Sequence, residues 1–375
     1  MQSRILTTSL PRRVPGRRGD GFTLVELLVV ITIIGTLAAI SIPVIRGVVK
    51  RANDTATRME IEAIERAAHA YEAKYGDLPP DGSSWVVMQR HFNRCFGRIS
   101  GVDSALLNNM SHGGGGFDPT AIDRARCIVL FLGGFSSDET RPLTGPGGPL
   151  QYVGPANGDR TLPANYQYNI DRQNRMMEFE MNRLTLAQLP DPNSPPGPGN
   201  RVLSLDGALI PKYLPAGKTT PYVYFDSRTY GFIPDSTVAN PVYNGYAHTS
   251  DNVIRPYKTL ANAPGGGSFN PTNVAEALRW HNPDTFQIIA AGQDDHFGNI
   301  AFNPDNNDYP AYFVTESGQL MACNPSAASG PAMLHPTISQ FQERSINSSW
   351  ENTHLDNLSN FNDGRQLRME DNLQL

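Results

Sequence analysis

From Phe22 to Ile42 the chain runs through 21 residues whose one ionisable side chain is Glu26. At about 1.5 Å rise per residue this run makes a helix of roughly 31 Å, the thickness of a hydrocarbon core. Beyond it the apolar pattern changes period instead of stopping. Ile45, Val49, Ala52, Ala56, Met59, Ala63, Ala67 and Tyr71 recur at steps of three and four, the spacing of an amphipathic helix. Asp54–Arg58 and Glu62–Arg66 add i,i+4 pairs on the solvated side. Gly76 and then Pro79-Pro80 end the pattern. Pro43 removes a backbone donor and clashes with the preceding turn, so it predicts a kink between the halves. The reading is one kinked helix over residues 22–75, with 22–42 a membrane span and 43–75 an amphipathic spine.

Past Gly76 the periodic signal fades. Gly (34) and Pro (30) are abundant, which predicts a loop-rich body. Residues 84–96 and 121–132 have the composition of short helices, and 191–200 (DPNSPPGPGN) reads as a proline-rich linker or surface loop. Residues 76–220 are therefore a loop-rich middle region and not a second enzyme domain. Strand signals gather later. Tyr222-Val223-Tyr224-Phe225, Thr285 to Ala290 and Tyr312-Phe313-Val314 are aromatic and β-branched runs bounded by turn residues. Residues 221–375 read as a C-terminal sheet region. The economical architecture is α+β, an antiparallel sheet with large loop insertions packed on the amphipathic half of the long N-terminal helix.

Charge gives the chain a direction. Residues 1–21 hold Arg4, Arg12, Arg13, Arg17 and Arg18 against Asp20, so losing them takes the formal net charge from −5 to −9. An acidic body does not suit nucleic acid, whose phosphates call for a basic face. Arginines ahead of the span hold the N-terminus in the cytoplasm and send the body across, although Arg46, Lys50 and Arg51 weaken that asymmetry. The three cysteines, Cys95, Cys127 and Cys323, cannot all pair. A Cys95–Cys127 bridge and no bridge at all fit the count equally.

Catalytic patterns are scarce. His112 precedes four glycines, as in the oxyanion loop of lipases, but no Gly-x-Ser-x-Gly nucleophile turn accompanies it. The chain has no His-Glu-x-x-His and no phosphate-binding glycine loop. The sequence is not that of an enzyme.

Glu26 is the anomaly, because a carboxylate in an apolar helix is costly unless paired. Cutting the chain between Gly21 and Phe22 would give Phe22 a free ammonium one helical turn from Glu26. The carboxylate would also gain from the helix dipole. It could pair within its own chain or with the ammonium of a neighbour, and the second option makes a docking rule for a filament. The run Gly21-Phe22-Thr23-Leu24-Val25-Glu26, with the apolar helix after it, resembles the class III signal of the type IV pilin family. That resemblance implies cleavage after Gly21 and N-methylation of Phe22 by a prepilin peptidase, and it makes Glu26 the residue that registers one subunit on the next. It also implies a bacterial single-pass inner-membrane protein with a periplasmic body. Its partners would be other pilin-like subunits and an inner-membrane assembly platform.

Within that family, Phe286 to Gly298 and 356–361 resemble the C-terminal loop of the major pseudopilin of type II secretion, where two segments clasp a calcium ion. The resemblance implies calcium on Asp294, Asp295 and Asp356, since calcium takes six to eight oxygen ligands. Asp295 departs from it, standing where a glycine is common, and Asp305 and Asp308 in the intervening stretch are weaker candidates. Read without the resemblance, the aspartates are solvated turn residues. The expected role is a type II secretion pseudopilin. The alternatives are a minor type IV pilin for adhesion, motility or DNA uptake, and a surface binding module on a prepilin anchor.

Overall fold

The computed structural model describes residues 23–113, 116–190, 200–230, 245–249, 252–260, 278–298, 311–314, 319–322, 333–334, 345–346, 349–350 and 357–361. The chain divides into two units, Met1–Arg51 and Ala52–Leu375. Helix α1 (Leu24–Tyr75) runs through Pro43 as one element of 52 residues. In the first unit, Leu24–Ser41 has a mean hydropathy of 2.4 and none of its residues is buried by the protein itself. Its leucines, isoleucines and valines are exposed. A helix of this length and composition can cross a membrane.

In the second unit, α1 turns one face into the core through Thr57, Ile61, Ile64, Ala67, Ala68 and Tyr71. This corrects the expected stripe. Ala67 and Tyr71 belong to it, whereas Met59 is 61% exposed. Branched Ile61 and Ile64 fill the space between helix and sheet and so set the buried face. Of the two expected surface pairs, Glu62–Arg66 forms at 3.5 Å, while Asp54 accepts from Gln293 Nε2 at 2.7 Å. Gly76 ends the helix at φ +75°, its N–H returning to Glu72 O at 2.7 Å. A residue with a Cβ is disfavoured in that left-handed cap.

The middle region is more ordered than its composition suggests. Helices α2 (Trp85–Cys95) and α3 (Gly101–Ser111) carry N-caps Ser84 and Ser100, and α4 (Arg126–Leu132) is buried along its whole length. Hairpins follow, β1 (Leu150–Tyr152) with β2 (Tyr166–Tyr168), and β3 (Leu186–Pro190) with β4 (Asn200–Ser204). Pairing reaches Pro190↔Asn200, and residues 191–199, the body of the expected proline-rich linker or surface loop, lie outside the described residues. Phe92, Phe96, Phe131 and Phe135 pack with Tyr71 and Tyr75 in one aromatic cluster. Residues on both sides of position 220 share this core.

The sheet that meets α1 has the order β7-β6-β5, from β5 (Val223–Asp226), β6 (Phe286–Ala290) and β7 (Leu358–Ser359), all antiparallel. Its side chains alternate between two cores. Tyr224, Phe286, Ile288 and Ala290 join the α1 side, and Val223, Phe225 and Ile289 face Tyr246, Ile254 and Phe297. Two buried faces explain why these strands read as unbroken apolar runs. The third expected strand belongs elsewhere. Ala311–Val314 lies in a separate five-stranded sheet, one of whose pairings is parallel. Cys95 and Cys127 are free thiols, and Cys323 lies outside the described residues.

A buried polar hub ties α1 to α2 and β5. His91 Nδ1 donates to Asp77 Oδ2 at 2.9 Å and its Nε2 meets Tyr71 Oη at 2.8 Å. Arg228 Nη1 donates to both Asp77 oxygens at 3.0 Å. This geometry fits the neutral imidazole, which donates at one nitrogen and accepts at the other. Burial lowers the His91 pKa from its ordinary 6.5, and Asp77 offsets that only in part. Burial alone would raise Asp77, but hydrogen bonds from His91 and Arg228 hold it below the usual carboxylate range. Both groups bind fewer protons folded than unfolded. Their stabilisation is therefore complete above the ordinary histidine value and is lost as pH falls, through His91 first and Asp77 later. The full-length protein in detergent should melt at a lower temperature near about pH 5 than near about pH 7.5. His91→Gln should flatten that dependence, and an equally steep profile in the variant would remove the hub as its source.

Candidate functional site

The expected assembly residues meet at the start of α1. Thr23 stands just before the helix. Its backbone N–H donates to Glu26 Oε2 at 2.9 Å, its Oγ1 donates to the same oxygen at 2.8 Å, and Glu26 N–H returns to Thr23 Oγ1 at 3.2 Å. Leu27 N–H closes the first helical bond on Thr23 O at 3.2 Å. This is a capping box, a Thr and a Glu three residues apart satisfying donors that the helix leaves open. Gly21 and Phe22 lie outside the described residues.

The box gives Glu26 a local reason to exist that the apolar pattern alone missed. The signal was in the sequence as Thr23-x-x-Glu26 ahead of an apolar run. A carboxylate has about four lone-pair sites, and Thr23 uses one oxygen. The other oxygen, Oε1, keeps its capacity for a cationic donor. The same side chain can thus cap its own helix and receive an ammonium.

The second candidate region follows β6. Its two segments, sixty residues apart in sequence, lie side by side. Ile289 pairs with Ser359 and Ala290 with Leu358, and Asn360 Oδ1 accepts from Ile288 N–H at 2.9 Å. Asn357 Nδ2 donates to Phe297 O at 2.8 Å. Asp356 lies outside the described residues, as do Asp305 and Asp308. Asp294 is exposed and its Oδ1 accepts from His296 N–H at 2.9 Å. Asp295 adopts φ +59°. Its carboxylate accepts from Thr219 N–H at 2.8 Å, Thr219 Oγ1 at 2.6 Å and Thr220 N–H at 3.0 Å. Burial would raise its pKa, and the Thr219 and Thr220 donors with nearby Lys218 hold it below its ordinary value. Among the described residues no three His, Cys, Asp or Glu side chains gather as a metal site.

His112, singled out for the glycines after it, packs edge-on against Trp85 at 4.9 Å. His112–Gly113 pairs with Gly116–Phe117 as a short hairpin.

No curated protein and no solved structure matches the chain. Residues 16–42 match the family model described as the prokaryotic N-terminal methylation motif. That motif implies processing by a prepilin peptidase and assembly with other pilin subunits. With this signal, an α+β body and, among the described residues, one apolar helix long enough to cross a membrane, the chain is similar to type IV pilin-like proteins anchored by their N-terminal helix.

Proposed function

We propose that this protein is a type II secretion pseudopilin, the subunit of a short periplasmic filament that drives folded proteins outward. Its body lies in the periplasm, because the arginines of residues 1–21 keep the N-terminus in the cytoplasm. Prepilin peptidase cuts after Gly21 and methylates Phe22. Each incoming chain then presents its new ammonium to Glu26 of a neighbour, guided by an inner-membrane assembly platform.

The observation that carries the pseudopilin reading is the pairing of β6 with β7. It brings 286–298 against 357–361, parts of the two segments that resemble the C-terminal loop of the major pseudopilin. Deleting the gene should leave exoproteins folded and trapped in the periplasm while surface pili and twitching persist. Loss of pili with normal secretion would favour a minor pilin instead. Intact-mass analysis of the membrane-extracted protein should show a chain that begins at N-methyl-Phe22. A species retaining the arginine-rich leader in wild-type cells would remove the processing step.

A further inference from the structure

The loop after β6 carries its own cation and anion receptor. The turn that precedes β5, with Gly217 at φ +71°, presents Lys218, Thr219 and Thr220 in succession. Lys218 Nζ donates to Gly292 O at 2.5 Å. The Thr219 and Thr220 N–H groups and the Thr219 hydroxyl enclose the Asp295 carboxylate. Thr220 Oγ1 donates to Asp295 O at 2.5 Å and accepts from Asn252 Nδ2 at 3.2 Å. Asn252 Oδ1 in turn accepts Phe297 N–H at 2.8 Å, and Val253 N–H reaches Gly298 O at 2.7 Å.

Two features set this contact apart from a solvated turn. First, Asp295 sits in the left-handed region, where a side chain is strained and glycine is the cheap choice. The aspartate is tolerated there because three donors engage its carboxylate. Second, the contact supplies both halves of what a divalent ion supplies to such a loop. The ammonium takes a backbone carbonyl, and main-chain amides take the carboxylate. Calcium bound through Asp295 would have to displace donors already in place, and a hard cation needs six to eight oxygens. Asp295 and Gly292 O therefore do not fit as its ligands.

We infer that the Lys218–Thr219–Thr220 turn replaces a metal as the clasp of the β6 loop, so the body folds and holds this loop without calcium. The inference concerns the stability of the body and stands apart from the filament reading, which secretion and pilus assays decide. The test uses the full-length protein in detergent, melted with millimolar calcium chloride or with a chelator. The two melting temperatures should agree within about 1 °C, and Asp295→Ala and Lys218→Met should each lower them by roughly 5 °C. Asp295→Gly removes the backbone strain along with the carboxylate, so it remains measurable if the alanine variant fails to fold. It should still melt below wild type. Calcium stabilisation of the wild type by several degrees would overturn the inference, whether Asp356→Ala abolished that effect or not. So would wild-type melting of Lys218→Met or of Asp295→Gly.

Discussion

Replacing Glu26 with alanine should cut incorporation into filaments about a hundredfold or more while leaving membrane insertion intact. Removing one member of a buried ion pair strands its partner, at about 3–5 kcal/mol. Every 1.4 kcal/mol is a factor of about ten in an equilibrium. Alanine also deletes the capping box with Thr23, a smaller loss of about 1 kcal/mol. Glutamine separates the two effects, because Gln at this position still reaches back to the Thr23 N–H but carries no charge. Glu26→Gln should therefore assemble nearly as poorly as Glu26→Ala. Thr23→Ala, which keeps the charge and loses the hydroxyl contacts, should assemble within several-fold of wild type. The measurement is the ratio of subunit in the sheared filament fraction to that in the membrane fraction. If Glu26→Gln polymerises normally, Glu26 is a helix cap and the charge-docking mechanism fails.

The parts of this fold that could be read from the sequence are those stabilised by periodic burial. Gly76 ended α1 where expected, since a left-handed cap has a residue preference that the sequence displays. The β5 and β6 runs were visible because both sheet faces are buried. Helix α3 was not visible. Its LLNNMS end mixes apolar and amide residues, and Asp103 in its first turn reaches forward to Leu143 N–H at 2.7 Å and Thr144 Oγ1 at 2.6 Å. Much of the middle region is built that way. Asp81 is fully buried and gathers Arg124 and Thr229. Glu60 on α1 holds Arg183 and Tyr222. Such bonds satisfy the backbone and side chains of Gly- and Pro-rich loops one at a time, across 40 to 160 residues of sequence, and they leave no period to detect. The candidate site divides along the same line. The motif at residues 16–42 is local and legible, whereas the contact of Asp295 with Thr219 spans 76 positions.

Arg172→Met should be among the most damaging substitutions in the body, lowering its stability by about 4 kcal/mol. Arg172 is fully enclosed and its partners are carbonyl oxygens at the end of α4. Nη1 donates to Val129 O at 2.6 Å, Nη2 to Leu130 O at 2.5 Å, and Nε to Gly134 O at 3.1 Å. Leu130 O is an acceptor that the helix C-terminus leaves open, Val129 O already takes the Gly133 N–H, and α4 is too buried for water to serve them. Burial lowers the Arg172 pKa, yet the negative end of the helix and the Tyr168 ring at 5.8 Å favour the cation. The neighbouring glycines are fitted to it. A Cβ on Gly133 would lie 2.2 Å from Arg172 Nη1, and one on Gly134, at φ +92°, 2.1 Å from Gln173 O. Methionine fills much of the same volume and donates nothing, so Leu130 O and Gly134 O lose their Arg172 donors and Val129 O keeps only Gly133 N–H. Lysine should recover only part of the loss, because a single ammonium cannot span a fork of three acceptors. Arg175→Met three residues on is the control. Its ion-pair partner Glu178 is 86% exposed, and its bond from Nε to Arg172 O at 2.9 Å is only part-buried, so its loss should cost no more than about 1–1.5 kcal/mol. Denaturant titration of the full-length variants in detergent reads all three. A wild-type midpoint for Arg172→Met would mean that the end of α4 finds other donors and that Arg172 is not its cap.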